Sequence, residues 1–207
     1  RMFASDVTAP RAARIFQPDG ACVRRGGPGA KGILASMTAV TDQSILDRFR
    51  QFGAFLEGHF RLTSGLHSPG YLQSALVLQH PAEAEALGSL LASRVRGVNI
   101  DAVLSPALGG IVIGHEVARA LHAKAIFAER QEGALTLRRG FGLERGERVL
   151  VVEDVVTTGG STRETIEVAR AAGAVVVGAA AIVDRSGGRQ DLGVPFHALV
   201  TLSLPTY

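Results

Sequence analysis

Apolar residues recur at steps of three and four in several stretches of the chain, which is the spacing of helices with one buried face. A helix capped by Thr41 or Asp42 is predicted first, on the apolar residues Ile45, Leu46, Phe49, Phe52 and Leu56. Three more helices are predicted, at residues 81–95, 110–121 and 161–172. Gly173 ends the last of them, because glycine is the favoured residue just past a helix.

Short apolar runs rich in β-branched residues lie between these helices and are predicted as strands. They cover residues 101–106, 124–128, 148–155, 175–183 and 196–204. Strands that alternate with helices favour right-handed βαβ units, so the predicted fold class is α/β with a mainly parallel twisted sheet flanked by helices. Residues 58–70 are predicted as a turn region and residues 133–143 as a mobile hairpin or loop.

Residues 1–36 lack such periodicity. They contain Pro10, Pro18 and a run of arginine, glycine and proline at residues 24–29. A segment of this kind does not bury enough apolar surface to fold, so it is predicted to be a disordered extension that need not belong to the native protein. An arginine-rich organelle transit peptide is the alternative interpretation. Residues 37–207 are predicted to form one folded domain.

Composition and charge argue against several classes of protein. With 46% hydrophobic and 20% charged residues the chain can build a sizeable core, and no apolar run reaches the roughly 18 residues that a membrane span needs. The only cysteine, Cys22, cannot form an intramolecular disulfide, so a cytoplasmic protein without a membrane partner is expected. Residues 1–36 hold six basic and two acidic residues, and the remainder holds 16 basic and 17 acidic residues. This near-neutral remainder argues against a nucleic-acid partner.

The strongest candidate for chemistry follows the third predicted strand. Two adjacent carboxylates, Glu153 and Asp154, stand near its carboxyl end, which is where open α/β sheets hold ligands. Residues 157–161, Thr-Thr-Gly-Gly-Ser, then form a turn that leads directly into a helix. The backbone N–H groups of such a turn, together with the helix dipole, attract a dianionic phosphate. Ser161 and Glu164 also fit a capping box, which would fix where the helix begins.

This order of apolar strand, acidic pair, glycine-containing turn and helix resembles the signature of the type I phosphoribosyltransferases. The resemblance implies an enzyme that binds 5-phosphoribosyl-1-pyrophosphate (PRPP), with the acidic pair on the ribose hydroxyls and the turn on the 5-phosphate. Glu153 and Asp154 are then catalytic as well as PRPP-binding residues. The other residues of this segment that the resemblance places on PRPP are Val155, Val156, Thr157, Thr158, Gly159, Gly160 and Ser161.

Further segments resemble the orotate phosphoribosyltransferase family. They are residues 58–65 with 67–71, the loop at 105–110, the pair at 129–130 and the pair at 184–185. By this resemblance, Ala107, Leu108, Gly109 and Arg130 bind PRPP at its pyrophosphate, and Arg130 is also catalytic. The residues implied to bind orotate are Thr157, Arg185 and Tyr71. A cationic Arg185 suits orotate because orotate carries a carboxylate.

The same resemblance implies a reaction and an assembly. Orotate and PRPP would give orotidine 5′-monophosphate and pyrophosphate, in pyrimidine (UMP) biosynthesis. Magnesium would be the cofactor, bound mainly through PRPP with no direct protein ligand. Residues 37–207 would be the phosphoribosyltransferase domain, with a small N-terminal hood region, in a homodimer with shared active sites. The segment after Arg130 lacks the family's usual loop lysines, so Arg138 and Arg139 are candidates to supply that positive charge.

Two other functions remain open on the sequence. A purine phosphoribosyltransferase would keep the PRPP loop and bind a different base. A non-catalytic PRPP-binding regulator would also keep the loop, usually beside an added nucleic-acid domain. The near-neutral charge of residues 37–207 argues against such a domain.

Overall fold

A helix and a small antiparallel sheet open the part of the chain that the structure describes, which is residues 42–61 and 67–203 of a computed structural model. The helix is α1 (Asp42–Gln51), and the sheet pairs β1 (Phe55–Arg61) with β2 (His67–Leu72). All the described residues belong to one unit, Thr38–Tyr207.

Two predictions for this opening segment are wrong. Leu56 lies in β1 and not on the first helix, because the chain turns at Gly53, whose φ of 63° is left-handed. The segment 58–70 is also more than a turn region, since its described residues lie in β1 and β2. Cross-strand pairing, for example of Phe55 with Leu72, overrides the local glycine and proline signal here.

The remaining elements of the described chain are four helices and six strands. In chain order they are α2 (Ala75–Leu78), α3 (Pro81–Arg94), β3 (Ala102–Pro106), α4 (Gly110–Leu121), β4 (Lys124–Gln131), β5 (Ala134–Leu137), β6 (Arg148–Val156), α5 (Gly160–Ala171), β7 (Val175–Asp184) and β8 (Phe196–Thr201). The six strands form one sheet in the order β5-β4-β3-β6-β7-β8. Within it β5 runs antiparallel to β4, and the other neighbours are parallel. The predicted α/β class with a mainly parallel sheet is confirmed.

Alternate residues of β6 face the two sides of the sheet, as the period of a strand requires. Leu150 packs into the larger core with Phe49 of α1 and Leu87 of α3. Val151 faces the other way and packs with Ile166 of α5. Because helices cover both faces, the carboxyl ends of the parallel strands are the natural place for a ligand.

A tight hairpin joins β4 to β5 where the sequence predicts a mobile hairpin or loop. Gln131 pairs with Ala134, and the two residues between them, Glu132 and Gly133, have φ values of 52° and 90°. Two successive positive φ values belong to a type I′ turn, whose twist matches that of paired strands. A hairpin is therefore present, but it is formed by β4 and β5 and ends at Leu137, so it covers only the first part of the predicted segment 133–143. The strand β4 continues past its predicted end at Ala128.

Several predictions concern residues 1–41, 62–66 and 204–207, which lie outside the described residues. Among them are the disordered extension at 1–36 and the end of the last strand at Leu204. Within the described ranges, no helix combines the length and the apolar character that a membrane crossing requires.

Candidate active site

The two predicted carboxylates lie near the carboxyl end of β6, after a run of buried apolar residues. Loss of hydration, and after it the charge of Asp154, raise the pKa of Glu153 to about 8, against the effect of a hydrogen bond from the Thr162 hydroxyl at 3.4 Å. Burial also raises the pKa of Asp154, against a hydrogen bond from the backbone of Val155. Two carboxylates that resist ionisation favour a ligand that brings hydroxyl donors or positive charge.

Asp154 connects the acidic pair to the loop that follows β3. Its carboxylate oxygens lie so close to Gly109 that a Cβ added there would approach them to 2.7 and 2.9 Å. Ser74 lies on another side of the carboxylate and lowers its pKa, although its hydroxyl lacks the geometry of a full hydrogen bond. Glycine at position 109 therefore lets the predicted pyrophosphate loop lie directly against the acidic pair.

The turn after β6 leads into α5 as predicted, but a glycine caps the helix. Gly159 is the N-cap residue, with a left-handed φ of 71°, and no side chain caps the first turn. The capping-box prediction for Ser161 and Glu164 is wrong, because Glu164 is bound to the β4–β5 hairpin instead. The first N–H groups of α5 lack intrahelical acceptors and can serve an anion. A pocket lined by Glu153 and residues 155–162 lies at this helix start.

The predicted pyrophosphate loop runs from the end of β3 to the start of α4. Its Ala107–Leu108 peptide is cis, and Leu108 is 85% exposed. The next helix begins in close contact with the sheet, since a Cβ added at Gly110 would meet Ser105 and the Val152 carbonyl oxygen at 3.0 Å. This packing keeps the loop at the same edge of the sheet as the acidic pair.

Arg185 follows β7 and lies beside the start of the turn after β6. Its backbone N–H donates to the carbonyl of Val156 at 2.8 Å, and its guanidinium donates to the carbonyl of Gly70 at 3.3 Å. Partial burial lowers the pKa of Arg185, and Tyr71 on β2 acts in the opposite sense. The structure thus brings Arg185, Tyr71 and the turn that contains Thr157 into one region, and their contacts with orotate stay a prediction.

Arg130 lies on the hairpin and is bound within its own chain. Its guanidinium donates to both carboxylate oxygens of Glu164, at 2.8 and 3.3 Å, and the Leu135 N–H donates to the same carboxylate at 2.7 Å. Arg139, a candidate for the missing loop charge, pairs similarly with Glu129 at 2.7 and 2.8 Å. The side chains of Arg130 and Arg139 are 54% and 61% exposed, so water screens both ion pairs and each contributes little to stability. The structure does not bring Arg130 together with the acidic pair.

Comparisons with known proteins agree with this geometry. The family profile described as "Phosphoribosyl transferase domain" matches residues 74–193, more than half of the chain. An orotate phosphoribosyltransferase of Pelotomaculum thermopropionicum is 55% identical over 81% of this chain and 88% of its own length. This chain belongs to the orotate phosphoribosyltransferase family. The Thermus thermophilus member of the family is 52% identical over 79% of this chain and 90% of its own.

A solved structure of the family has the same fold. The crystal structure of orotate phosphoribosyltransferase from Aeropyrum pernix matches 76% of this chain and 93% of that chain, with a TM-score of 0.62 and 29% identity. Membership of the orotate phosphoribosyltransferase family confirms the predicted family and the predicted enzyme class, a phosphoribosyltransferase and hence a pentosyltransferase. The roles of single residues stay predictions.

The structure also adds a residue that was not predicted for this orotate phosphoribosyltransferase family member, Ser74, which lies beside Asp154. It gives Glu164 a different role from the predicted cap, as the partner of Arg130. Ser74 and Glu164 are both far in sequence from these partners, and no motif reveals either contact.

The raised pKa of Glu153 predicts that the stability of this orotate phosphoribosyltransferase family member falls as pH rises. The unfolded chain releases the Glu153 proton near pH 4.3, whereas the folded chain keeps it to about pH 8, so rising pH favours unfolding across this window. Glu153→Gln cannot titrate, and its unfolding free energy should fall less between about pH 5 and 8. Urea denaturation at several pH values measures this difference. An unchanged pH slope in Glu153→Gln would contradict the assignment.

Proposed function

We propose that this chain transfers the phosphoribosyl group of PRPP to N1 of orotate, giving orotidine 5′-monophosphate and pyrophosphate in pyrimidine biosynthesis. The observation that carries the proposal is that three features lie at one edge of the sheet. They are the acidic pair at 153–154, the start of α5 without a side-chain cap, and the cation Arg185. A ribose with a phosphate on one side and a carboxylated base on the other matches these three features. The names of the similar proteins support orotate as the base.

Each part of PRPP has a matching group in the chain. The 5-phosphate accepts hydrogen bonds from backbone N–H groups of residues 157–161, and the ribose hydroxyls donate to Glu153 and Asp154. Residues 155–156 line the same pocket as the turn. The pyrophosphate lies against residues 107–109, because Gly109 is in contact with the Asp154 carboxylate.

The chemistry that these groups support is a substitution at the anomeric carbon of the ribose. The bond from this carbon to the pyrophosphate oxygen breaks and its electron pair leaves with pyrophosphate. Orotate N1 supplies the pair for the new bond and releases its proton to the solvent. Positive charge develops on the ribose as it does in glycoside hydrolysis, and the Asp154 carboxylate beside the ribose stabilises it. The chain otherwise contributes position, and no covalent enzyme intermediate is required.

Magnesium is the proposed cofactor. The pyrophosphate and ribose oxygens of PRPP are hard oxygen ligands of the kind that this cation prefers. The ion would be bound mainly through PRPP, with no direct protein ligand. It would neutralise charge on the departing pyrophosphate. With PRPP and orotate as water-soluble substrates, we propose a cytoplasmic enzyme without membrane or nucleic-acid partners.

The choice of base is tested by incubating the protein with PRPP, magnesium and either orotate, hypoxanthine or adenine. Ultraviolet absorbance follows the loss of each base. We expect loss of orotate that depends on PRPP, and no loss of the purines. Consumption of a purine but not of orotate would instead assign a purine phosphoribosyltransferase. Binding of PRPP without pyrophosphate release, whatever the base, would assign a regulator.

A homodimer with shared active sites is proposed as the working form, in which Arg130 serves the neighbouring site. Arg130 lies on the β4–β5 hairpin at the edge of the six-stranded sheet. Its pair with Glu164 is largely exposed to water, so a pyrophosphate can replace the carboxylate as partner at little cost.

Mixing two inactive variants is expected to restore activity if the sites are shared. When Arg130→Ala and Asp154→Asn chains re-pair at random, half of the dimers are mixed, and each mixed dimer has one intact site. Activity should therefore recover to about a quarter of wild type. Turnover is measured after subunit exchange has been verified with differently tagged chains. No recovery in such a mixture would mean that Arg130 serves its own chain.

A further inference from the structure

Two side chains hold the carbonyl groups of the turn after β6. Gln190 Nε2 donates to the Thr157 carbonyl oxygen at 2.9 Å, and Arg163 Nη2 donates to the Thr158 carbonyl oxygen at 2.5 Å. Arg163 Nη1 also donates to Gln190 Oε1 at 3.1 Å and to the Asp191 carbonyl at 3.3 Å. Arg163 and Gln190 therefore form one hydrogen-bonded unit, called here the turn brace.

A carbonyl that is held in place fixes the N–H group of the same peptide. In a planar trans peptide the C=O and N–H bonds point in opposite directions. The Thr157 carbonyl shares a peptide with the N–H of Thr158, and the Thr158 carbonyl shares one with the N–H of Gly159. By drawing both carbonyls toward itself, the turn brace directs both N–H groups away from itself.

The turn packs directly against the brace at Gly159, with no space left between them. A Cβ added there would meet Gln190 Oε1 at 2.7 Å, Leu192 Cδ2 at 2.8 Å and Arg163 Nη1 at 3.0 Å. The left-handed φ of 71° also requires glycine at this position. Since the contact between turn and brace is direct, loss of either brace residue frees the peptides that it holds.

We infer, resting on the proposed function, that Arg163 and Gln190 are positioning residues that preorganise the Thr158 and Gly159 N–H groups for the 5-phosphate of PRPP. They contact the turn and not the substrate. Because the two peptides are already held in place before PRPP binds, binding does not have to order them, and the affinity for the phosphate is higher. The effect is expected mainly for ligands that carry the 5-phosphate, because the two N–H groups that the brace orients are the ones proposed to bind that phosphate.

Gln190→Glu is the sharpest variant, because it has the same shape and changes one hydrogen bond. It keeps an acceptor for Arg163 but replaces the donor that faces the Thr157 carbonyl with a carboxylate oxygen. We expect the KM for PRPP and the Kd for ribose 5-phosphate to rise together by about tenfold. The kcat and the KM for orotate should stay within about twofold of wild type, and the unfolding midpoint should not fall, since the Arg163 pair gains charge.

Arg163→Ala provides a second variant, with Arg170→Ala as its matched control. Arg170 lies two turns further along α5 and donates to the Gly193 carbonyl at 3.4 Å, so it also joins the helix to the segment after β7 without contacting the turn. Arg163→Ala should weaken ribose 5-phosphate binding by about tenfold, measured by calorimetry, and Arg170→Ala should leave it unchanged.

The outcomes separate this inference from the proposed function. Wild-type affinity for ribose 5-phosphate in both brace variants would overturn the brace, and so would an equal rise in the KM for orotate, which indicates general structural damage. Neither result bears on orotate turnover by the wild-type protein. Conversely, a wild-type protein that binds ribose 5-phosphate but does not convert orotate would contradict the proposed function, while the affinities of the variants would still decide the brace.

Discussion

Asp154→Asn is expected to lower kcat by roughly 100-fold or more, while the protein stays folded. Asparagine keeps the shape of the side chain beside Gly109 and Ser74 but removes the negative charge at the ribose. That charge matters most when pyrophosphate departs and the anomeric carbon becomes positive. Because burial already raises the pKa of Asp154, a neutral amide should not reduce stability near pH 8. Steady-state turnover at saturating orotate and PRPP measures the effect.

Glu167→Gln is the matched control for this substitution. Glu167 is an exposed carboxylate on α5 whose hydrogen bond comes from Arg170 at 2.7 Å, within the same helix. The Glu167→Gln protein should keep near-wild-type turnover. A folded Asp154→Asn protein with normal kcat would remove Asp154 from the chemistry.

Arg185→Ala should raise the KM for orotate by a factor of roughly 30 to 1,000, which corresponds to about 2 to 4 kcal/mol for a charge-assisted pair in a partly dry pocket. Arg185 is partly buried between Val156 and Gly70, so its guanidinium is well placed to meet a carboxylate beside the turn. The KM for PRPP should change little. Initial rates at varied orotate and fixed PRPP measure the difference.

Two comparisons isolate the carboxylate as the partner of Arg185. Uracil lacks the carboxylate of orotate, so its much weaker use should be almost unaffected by Arg185→Ala. Arg189→Ala should leave both KM values near wild type, because the Arg189 guanidinium donates to the nearby Ser186 carbonyl. Equal changes in the KM for orotate and for PRPP would show that Arg185 does not set base specificity.

The sequence predicts elements whose signal is local. The helix at 110–121 begins and ends where the pattern places it, because its apolar spacing and flanking residues are all close in the chain. The acidic pair at 153–154 is likewise predicted, since a buried strand followed by carboxylates and a glycine turn is a continuous signature. The hairpin is predicted only coarsely, as a hairpin or loop at 133–143, and its two-residue turn at Glu132 and Gly133 is seen only in the structure.

Long-range contacts decide the features that the sequence does not predict. Leu56 continues a helical spacing but pairs as a strand with β2. Glu164 fits a local capping box, yet its bond to Arg130 on the hairpin is made instead. Gln190 carries no motif at all, and only the folded chain brings it to the Thr157 carbonyl. In each case the partner lies in another element, where periodicity and short motifs give no information.

Identification of the products is the most direct test of the proposed reaction. The protein is incubated with PRPP, orotate and magnesium, and both orotidine 5′-monophosphate and pyrophosphate are quantified by chromatography and mass spectrometry. The proposed reaction predicts that the two products appear in a one-to-one ratio as orotate disappears, and that Asp154→Asn forms neither at a comparable rate. Orotate and PRPP that remain unchanged in the presence of folded wild-type protein would contradict it.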